Sequence, residues 1–456
     1  MKYYLIIFFI ASVLTGCEKQ LNQPVADNIS TINSLEKCEQ VLNNTDNMGK
    51  QPAAPEISAD NYYFRDSVLY SDVSAMDLRH YLWEPDLYKR EVNIIDYSHP
   101  YKQINHSNEV LSALERIPLV PSQQALRDYI EGACLFYRSY AFYNLLQLYA
   151  RPYDAGTAAT DTGISLVLTL DKEGDQYRAS MQACYDQVIK DLRIAAGLLP
   201  LLPDAAKPNK PSRVAAWGLL ARTYLSMRVY SSAAQYADSC LKYYDHLLNY
   251  QDAINIKPFP FGKVNHEVLY QAYLHDDSKL LKGRINNSEL LIDSSLYDSY
   301  DSNDLRKTLF YRTDGKKVTL HGSYSGSIFC FGGIATDELY LIRAECAARH
   351  HNLPLAMATL NELLEHRYKP GTFHALSAAS PDSALALVLQ ERRKELAFRG
   401  LRWTDLRRLN KENPVHTIRR LVRGVYYVLQ PNDLRYTFPF PDDVLADSKM
   451  VQNPRK

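Results

Sequence analysis

The feature that most constrains this chain is one stretch near its C-terminus, Gln390-Glu391-Arg392-Arg393-Lys394-Glu395-Leu396-Ala397-Phe398-Arg399-Gly400-Leu401-Arg402-Trp403-Thr404-Asp405-Leu406-Arg407-Arg408-Leu409. Its spacing predicts two helices joined at a glycine. Leu385, Leu389 and Leu396 recur on one helical face. Arg392 interrupts that stripe, where its aliphatic stem can lie over apolar neighbours while the guanidinium reaches outward. Glu391 and Glu395 stand one turn apart among Arg392, Arg393 and Lys394, an arrangement that pairs charges along a helix flank. Gly400 occupies the place of a left-handed residue ending the first helix. Trp403, Leu406 and Leu409 restart an apolar stripe, with Asp405 near the new N-terminus, where negative charge is favoured. The expected role of these residues is structural: a core tryptophan and ion pairs.

Upstream, the pattern is helical for most of its length. Ser34 is placed to cap a helix through Leu35, Cys38, Val41 and Leu42, and a second helix starts at Tyr101 and closes before Pro118 and Pro121. The longest run, 125–149, carries Leu126, Tyr129, Ile130, Ala133, Tyr137, Tyr140, Ala141, Leu145 and Leu148 on one broad face. Another runs from Met181 to Leu199 and stops at Pro200. A helix pair begins at Ser212 and a second at Glu338. Setting Ala221 over Ala344 brings Leu225 onto Ala348, Ala233 onto Ala356 and Ala237 onto Leu360. Small residues at these offsets allow close antiparallel packing, the logic of tetratricopeptide repeats. Between the pairs, residues 251–334 are rich in Asn, Asp and Pro and read as a loop-rich insertion. A short hairpin is expected there, with Asp314-Gly315 beside the alternating Val318 and Leu320. Trp217 and Trp403 fall on core faces.

The N-terminus is a targeting segment. Lys2 supplies a positive charge, and Tyr3 to Leu14 form an apolar run shorter than the about 20 residues of a membrane span. Leu14-Thr15-Gly16-Cys17 resembles a bacterial lipobox, which implies cleavage after residue 16 and a lipid on Cys17 as the sole membrane anchor. Residues 17–32 then form a polar tether. The other cysteines, Cys38, Cys134, Cys184, Cys240, Cys330 and Cys346, show no C-x-x-C pairing and are expected as buried free thiols.

The C-terminal stretch resembles the E-R-R-x-E-L-A-F-x-G-x-R-W-x-D-L-R-R signature of the SusD/RagB family of outer-membrane nutrient-binding lipoproteins. Tyr101 to Leu111 resembles that family's Y-x-x-I-x-x-x-N-x-x-L element, Arg151-Pro152-Tyr153 its turn after the long helix, Phe438-Pro439-Phe440-Pro441 its L-P-I-P motif and Gln452-Asn453-Pro454 its Q-N-P ending. The resemblance implies an all-α fold of tetratricopeptide-like helix pairs with little β structure. One SusD-like domain would span 33–456, with the helical scaffold at about 33–250 and 335–456 and the insertion at about 251–334. It further implies a non-catalytic, lipid-anchored outer-membrane protein, facing the cell exterior, that binds a glycan or oligopeptide and delivers it to a SusC-like TonB-dependent transporter.

The chemistry in the residues agrees with binding. Gly322-Ser323-Tyr324-Ser325-Gly326 has tyrosine where a nucleophile elbow needs serine. There is no H-E-x-x-H, His350-His351 suit a solvated helix end, and no glycine loop cradles phosphate. No catalytic residue, metal ligand or cofactor is expected. Neutral net charge argues against nucleic acid, and the arginines between Arg392 and Arg423 are expected to pair within the fold. The chain holds 34 tyrosines against 14 phenylalanines, which suits either packed helices needing a polar-tipped ring or a surface that stacks on sugars. Trp83 lies off the helical faces with Tyr62, Tyr63 and Tyr81 nearby, and these four are the candidate ligand-binding residues. The alternative for Trp83 is a structural ring sealing the helix array. An exported hydrolase and a scaffold without a ligand are the other functional classes.

Overall fold

The computed structural model of the chain describes residues 32–69, 73–170, 177–262, 264–275 and 290–455. Cys17 and the tether up to residue 31 lie outside the described residues. Helix α1 (Leu35–Leu42) is capped by Ser34, whose side chain accepts from the Lys37 N–H at 3.4 Å. Helix α2 (Ala54–Ser58), strand β1 (Tyr62–Tyr63) and helix α3 (Ala75–Tyr81) follow. Helix α4 (Ile95–Arg116) starts a turn and a half ahead of Tyr101 and carries Pro100 inside it. Proline opposes that extension. Tertiary bonds hold it, because the Asp96 carboxylate in the first turn accepts from the N–H groups of Ala53 at 2.8 Å and Ala54 at 3.2 Å.

Helix α5 (Gln124–Tyr149) is buried on nearly every side from Ile130 onward, as an interior helix must be when it is apolar all round. Its tyrosines explain much of the tyrosine excess. Their hydroxyls reach carbonyls across the core: Tyr137 donates to Asn209 at 3.1 Å and Tyr140 to Gly332 at 2.6 Å. Helix α6 (Met181–Leu198) packs along α5.

The repeat logic is visible in the helix ends. Helices α7 (Arg213–Ser226) and α8 (Tyr230–Leu241) form one pair, α9 (Thr336–Arg349) and α10 (Leu353–Glu365) the other. In the register that sets Ala221 against Ala344, the two turns match hydrogen bond for hydrogen bond. Met227 N–H donates to Thr223 O at 3.1 Å, as His350 does to Cys346 at 3.0 Å. Val229 donates to Tyr224 at 2.9 Å, as Asn352 does to Ala347 at 2.8 Å. Arg228 (φ +62°) and His351 (φ +58°) both take the left-handed conformation of this helix-ending motif. Ala221, Ala233, Ala237, Ala344 and Ala356 are all fully buried between the pairs.

The described residues of the insertion hold more strand than its composition suggests. Strand β2 (Val268–Tyr270) and strands β3 (Leu291–Ile292), β4 (Tyr311–Asp314) and β5 (Lys317–Leu320) lie in it, with β6 (Ile334–Ala335) at its end. The expected hairpin is β4–β5, turning at Gly315 with φ +57°. It extends into a four-stranded sheet of order β1-β3-β5-β4, so the N-terminal segment supplies an edge strand. Behind this sheet sits a second hydrophobic cluster, apart from that of the helix array, containing Tyr62, Phe64, Tyr81, Phe310, Tyr324 and Phe398.

The signature stretch forms helices α11 (Pro381–Glu395) and α12 (Arg402–Glu412), followed by a hairpin of β7 (Ile418–Val422) and β8 (Val425–Leu429) that was not foreseen. Three expectations need correction here. Arg392 points inward to Asp405, at 2.9 Å, and both are buried. The expected pairing of Glu391 and Glu395 with neighbouring cations of the flank holds only for Glu391 with Lys394, and that pair is buried. Glu395 is fully buried between Arg306 at 2.9 Å and Arg367 at 2.8 Å, and Glu391 meets Arg306 and Lys394. The reason is that Tyr300, Asp304 and Arg306 of the insertion meet the last turn of α11 on one side while α9 and α10 pack along the helix. Gly400 is left-handed (φ +73°) but stands just ahead of α12; α11 has already ended at Glu395. Other arginines of the stretch do pair within the fold: Arg399 with Asp337 at 2.7 Å, and Arg408 with Asp405 and Glu345. Arg407 instead caps the C-terminal carbonyls of α5, donating to Gln147 and Ala150. Burial pulls its pKa down to about 10.

Candidate functional site

Strand alternation decides which candidate aromatics can meet a ligand. In β1, Tyr62 turns inward and is 3% exposed, while Tyr63 turns outward and is 44% exposed. The Tyr62 hydroxyl donates to the Ile57 carbonyl at 2.7 Å. Tyr81 is 1% exposed, its hydroxyl accepting from the Phe64 N–H at 3.2 Å. Trp83 is also 1% exposed and donates from Nε1 to the Ser58 carbonyl at 2.9 Å. The expectation that Trp83, Tyr62 and Tyr81 offer open rings for stacking is therefore corrected. These rings pack inside the fold, because α2 and the β7–β8 hairpin close over the segment that looked irregular in sequence. Of the four candidates, Tyr63 alone keeps an accessible face.

That face borders a cleft of about 500 Å³ between β1, the start of the helix after β3, α11 and β7. Tyr62 and Tyr81 line its inner side; Trp83 does not reach it. Arg393 forms part of the wall. It donates to the Asp60 carbonyl at 3.0 Å, to Asp293 Oδ1 at 3.2 Å and to Ser295 Oγ at 3.2 Å. Asp60 is held from below by Arg402, which donates from Nε at 2.7 Å and Nη2 at 2.9 Å. Burial alone would raise the Asp60 carboxyl, yet Arg402 and Arg393 hold it well below the usual carboxylate range. Thr417, just ahead of β7, and Arg419 and Leu421 within it form the far side. Under the floor the Arg420 guanidinium sits 3.6 Å from the centroid of the Tyr81 ring and 4.6 Å from that of Trp83. It donates to the Tyr81 and Ala59 carbonyls.

The arrangement can stack one ring face against a flat apolar surface and hydrogen-bond the groups around it. Each lining carboxylate is engaged by an arginine, Asp293 by Arg393 and Asp60 by Arg402. Among the described residues no group of three or more His, Cys, Asp or Glu could hold a metal ion. A larger cleft of about 660 Å³ lies beside Glu84, Tyr88 and Phe440. Its main polar groups are spent on the fold, Asn453 donating to the Tyr149 and Phe438 carbonyls and Arg455 to those of Thr437 and Glu84.

Sequence reasoning missed Arg393, Asp60, Asp293 and the β7 wall. The alternation Ile418-Arg419-Arg420-Leu421-Val422 ahead of Arg423-Gly424 was the available signal for a hairpin. It was read as part of a basic run.

Comparison with known proteins bears on the fold. A family model described as "Starch-binding associating with outer membrane" matches residues 20–225, and one described as "SusD family" matches residues 337–454. The fold is similar to a SusD superfamily protein from Bacteroides thetaiotaomicron, with a TM-score of 0.76 and 20% identity over 92% of this chain and 100% of that one. It is similar to the surface glycan-binding protein A from Bacteroides uniformis, with a TM-score of 0.71 and 15% identity over 92% and 99% of the two chains. A laminarin-binding SusD-like protein matches with a TM-score of 0.64 and 18% identity over 93% and 100%. No curated relative matches the chain.

Proposed function

This chain belongs to the SusD/RagB family, and from that premise we propose that it captures a glycan in the cleft beside Tyr63 and hands it to a SusC-like TonB-dependent transporter. In this reading Cys17 carries the lipid that anchors the protein to the outer membrane, with residues 33–456 facing the cell exterior as one SusD-like domain. The observation that carries the proposal is the meeting, in one cleft, of a half-exposed tyrosine face with arginine, aspartate and hydroxyl groups already oriented by the fold. A flat ring suits the C–H face of a pyranose, and the polar groups around it suit its hydroxyls. The laminarin-binding and glycan-binding relatives of the same fold favour a glycan over an oligopeptide. Asp60 suits capture: a glycosidase would need one carboxyl kept protonated beside a second at fixed separation, whereas Arg402 and Arg393 hold the Asp60 carboxyl well below the usual carboxylate range.

The test is binding of the full chain to a glycan panel, followed by analysis of the recovered ligand. Intact glycan is expected after long incubation. Tyr63→Ala should weaken binding by roughly tenfold, the loss of one aromatic anchor, with an unchanged melting temperature because the ring is half exposed. Unchanged affinity in Tyr63→Ala would move the site elsewhere, and a shortened glycan would replace capture with hydrolysis.

A further inference from the structure

The cleft holds more positive charge than its own carboxylates neutralise. Arg393, Arg419 and Arg420 line it, with Arg402 directly beneath, against Asp60 and Asp293. Asp60 is gripped at both oxygens by Arg402, and Asp293 is paired with Arg393. Two arginines remain. Arg420 is 5% exposed, yet its guanidinium meets the carbonyls of Tyr81 and Ala59 and the faces of aromatic rings, with no ion pair among the described residues. Neutral carbonyls and ring faces spread a cation's charge without cancelling it, and a buried charge without a counter-ion is costly. Arg419 is exposed at the rim, and among the described residues its side chain has no hydrogen-bond or ion-pair partner.

We infer that the glycan taken by this cleft is acidic, a saccharide bearing carboxylate or sulfate groups, and that Arg419 at the rim contacts its acidic group while Arg420, buried beneath the floor, adds its charge to the field there. The inference rests on the cleft being the binding site. A planar guanidinium presents forked donors that match a carboxylate or sulfate edge two bonds at a time. A neutral sugar would occupy the Tyr63 face but leave the excess positive charge unanswered. An acidic one supplies the missing counter-ion while the ring still stacks on its C–H face. The two requirements sit together because β1 carries the tyrosine and β7 carries the arginines along opposite sides of the cleft.

The experiment measures affinity of the full chain for a panel of acidic glycans (polygalacturonate, alginate and chondroitin sulfate) and neutral ones (methyl-esterified polygalacturonate and laminarin). The polygalacturonate pair differs chiefly in charge, which makes it the decisive comparison. At least one acidic glycan should bind about tenfold or more tighter than its neutral counterpart. Arg419→Ala and Arg419→Glu, both at an exposed position, should weaken that binding by about tenfold and more, as expected for a charge-assisted contact, while leaving the melting temperature unchanged. Raising the salt concentration should weaken acidic binding and spare neutral binding. Equal binding of acidic and neutral forms, insensitivity to Arg419→Glu, or no acidic glycan bound at all would overturn the inference. If Tyr63→Ala still abolishes binding of a neutral glycan, the capture reading survives that failure. If Tyr63→Ala leaves every bound glycan unaffected, the cleft itself is the wrong site.

Discussion

Arg392 Nε lies 2.9 Å from Asp405 Oδ2, so one buried ion pair ties the last turn of α11 to the first turn of α12. Asp405 also accepts from Arg408 Nε at 2.8 Å, and Arg408 continues to Glu345 on α9. The signature is thus a charge chain running through the core. Burial opposes ionisation of Asp405, but Arg392 and Arg408 hold its carboxyl below the usual carboxylate range. Asp405→Ala would strand the buried Arg392 guanidinium, while Arg408 keeps Glu345. A loss of roughly 3–5 kcal/mol is expected, the usual cost of breaking a buried pair from one side. Urea unfolding of the variant against the wild type measures it.

Two tryptophans should behave alike although only one was expected in the core. Trp403 is fully buried, its ring 4.6 Å from that of Tyr436. Trp83 is held by Ser58 and by the Arg420 guanidinium. Trp403→Ala and Trp83→Ala should each cost about 3–5 kcal/mol, read as a lowered melting temperature. A Trp83→Ala variant with a wild-type melting curve would contradict the packing described.

Glu56 provides a pH test. It is fully buried, accepting from Asn61 Nδ2 at 2.8 Å and from the Gly400 N–H at 2.9 Å, so it fastens α2 to the glycine of the signature. Burial pushes its carboxyl up to about 7 from an ordinary 4.5. The folded state therefore holds this proton more tightly than the unfolded chain. Its contribution is fully present below pH 4.5 and is lost as pH rises through about 7. Glu56→Gln mimics the protonated form and should be more stable than wild type at pH 8, by on the order of 2–3 kcal/mol. The difference should shrink toward pH 4.5, as thermal melts across that range would record.

At the other end of the chain, Cys17→Ala should prevent lipid attachment. The protein should leave the membrane fraction and lose the mass of the lipid. No helix among the described residues is long and apolar enough to cross a membrane, so membrane retention of the variant would require an attachment other than the one proposed.

Helix periodicity and capping chemistry are local, and they were legible along the chain. Ser34, Ser180, Ser212 and Ser380 each accept from a backbone N–H at a helix start, as short hydroxyl side chains before an apolar stripe do. The repeat register was legible from alanines, and the matched left-handed turns at Arg228 and His351 bear it out. Family membership was legible because Gln390 to Leu409 resembles the family's signature residue by residue; that those charges form a buried chain was visible only in the structure. What the sequence could not disclose was the direction in which side chains face once distant segments meet. Arg392 and Glu395 look like surface residues until the insertion and α9 cover their helix. Trp83 looks like an exposed ring until Arg420, far along the chain, seats beneath it. The cleft has the same origin. Its walls come from β1, the insertion, α11 and β7, and only their packing turns Tyr63 outward beside Arg393 and Arg419. Periodicity depends on neighbours within a few residues, whereas burial and charge balance depend on segments hundreds of residues apart, and those were decided by the tertiary structure alone.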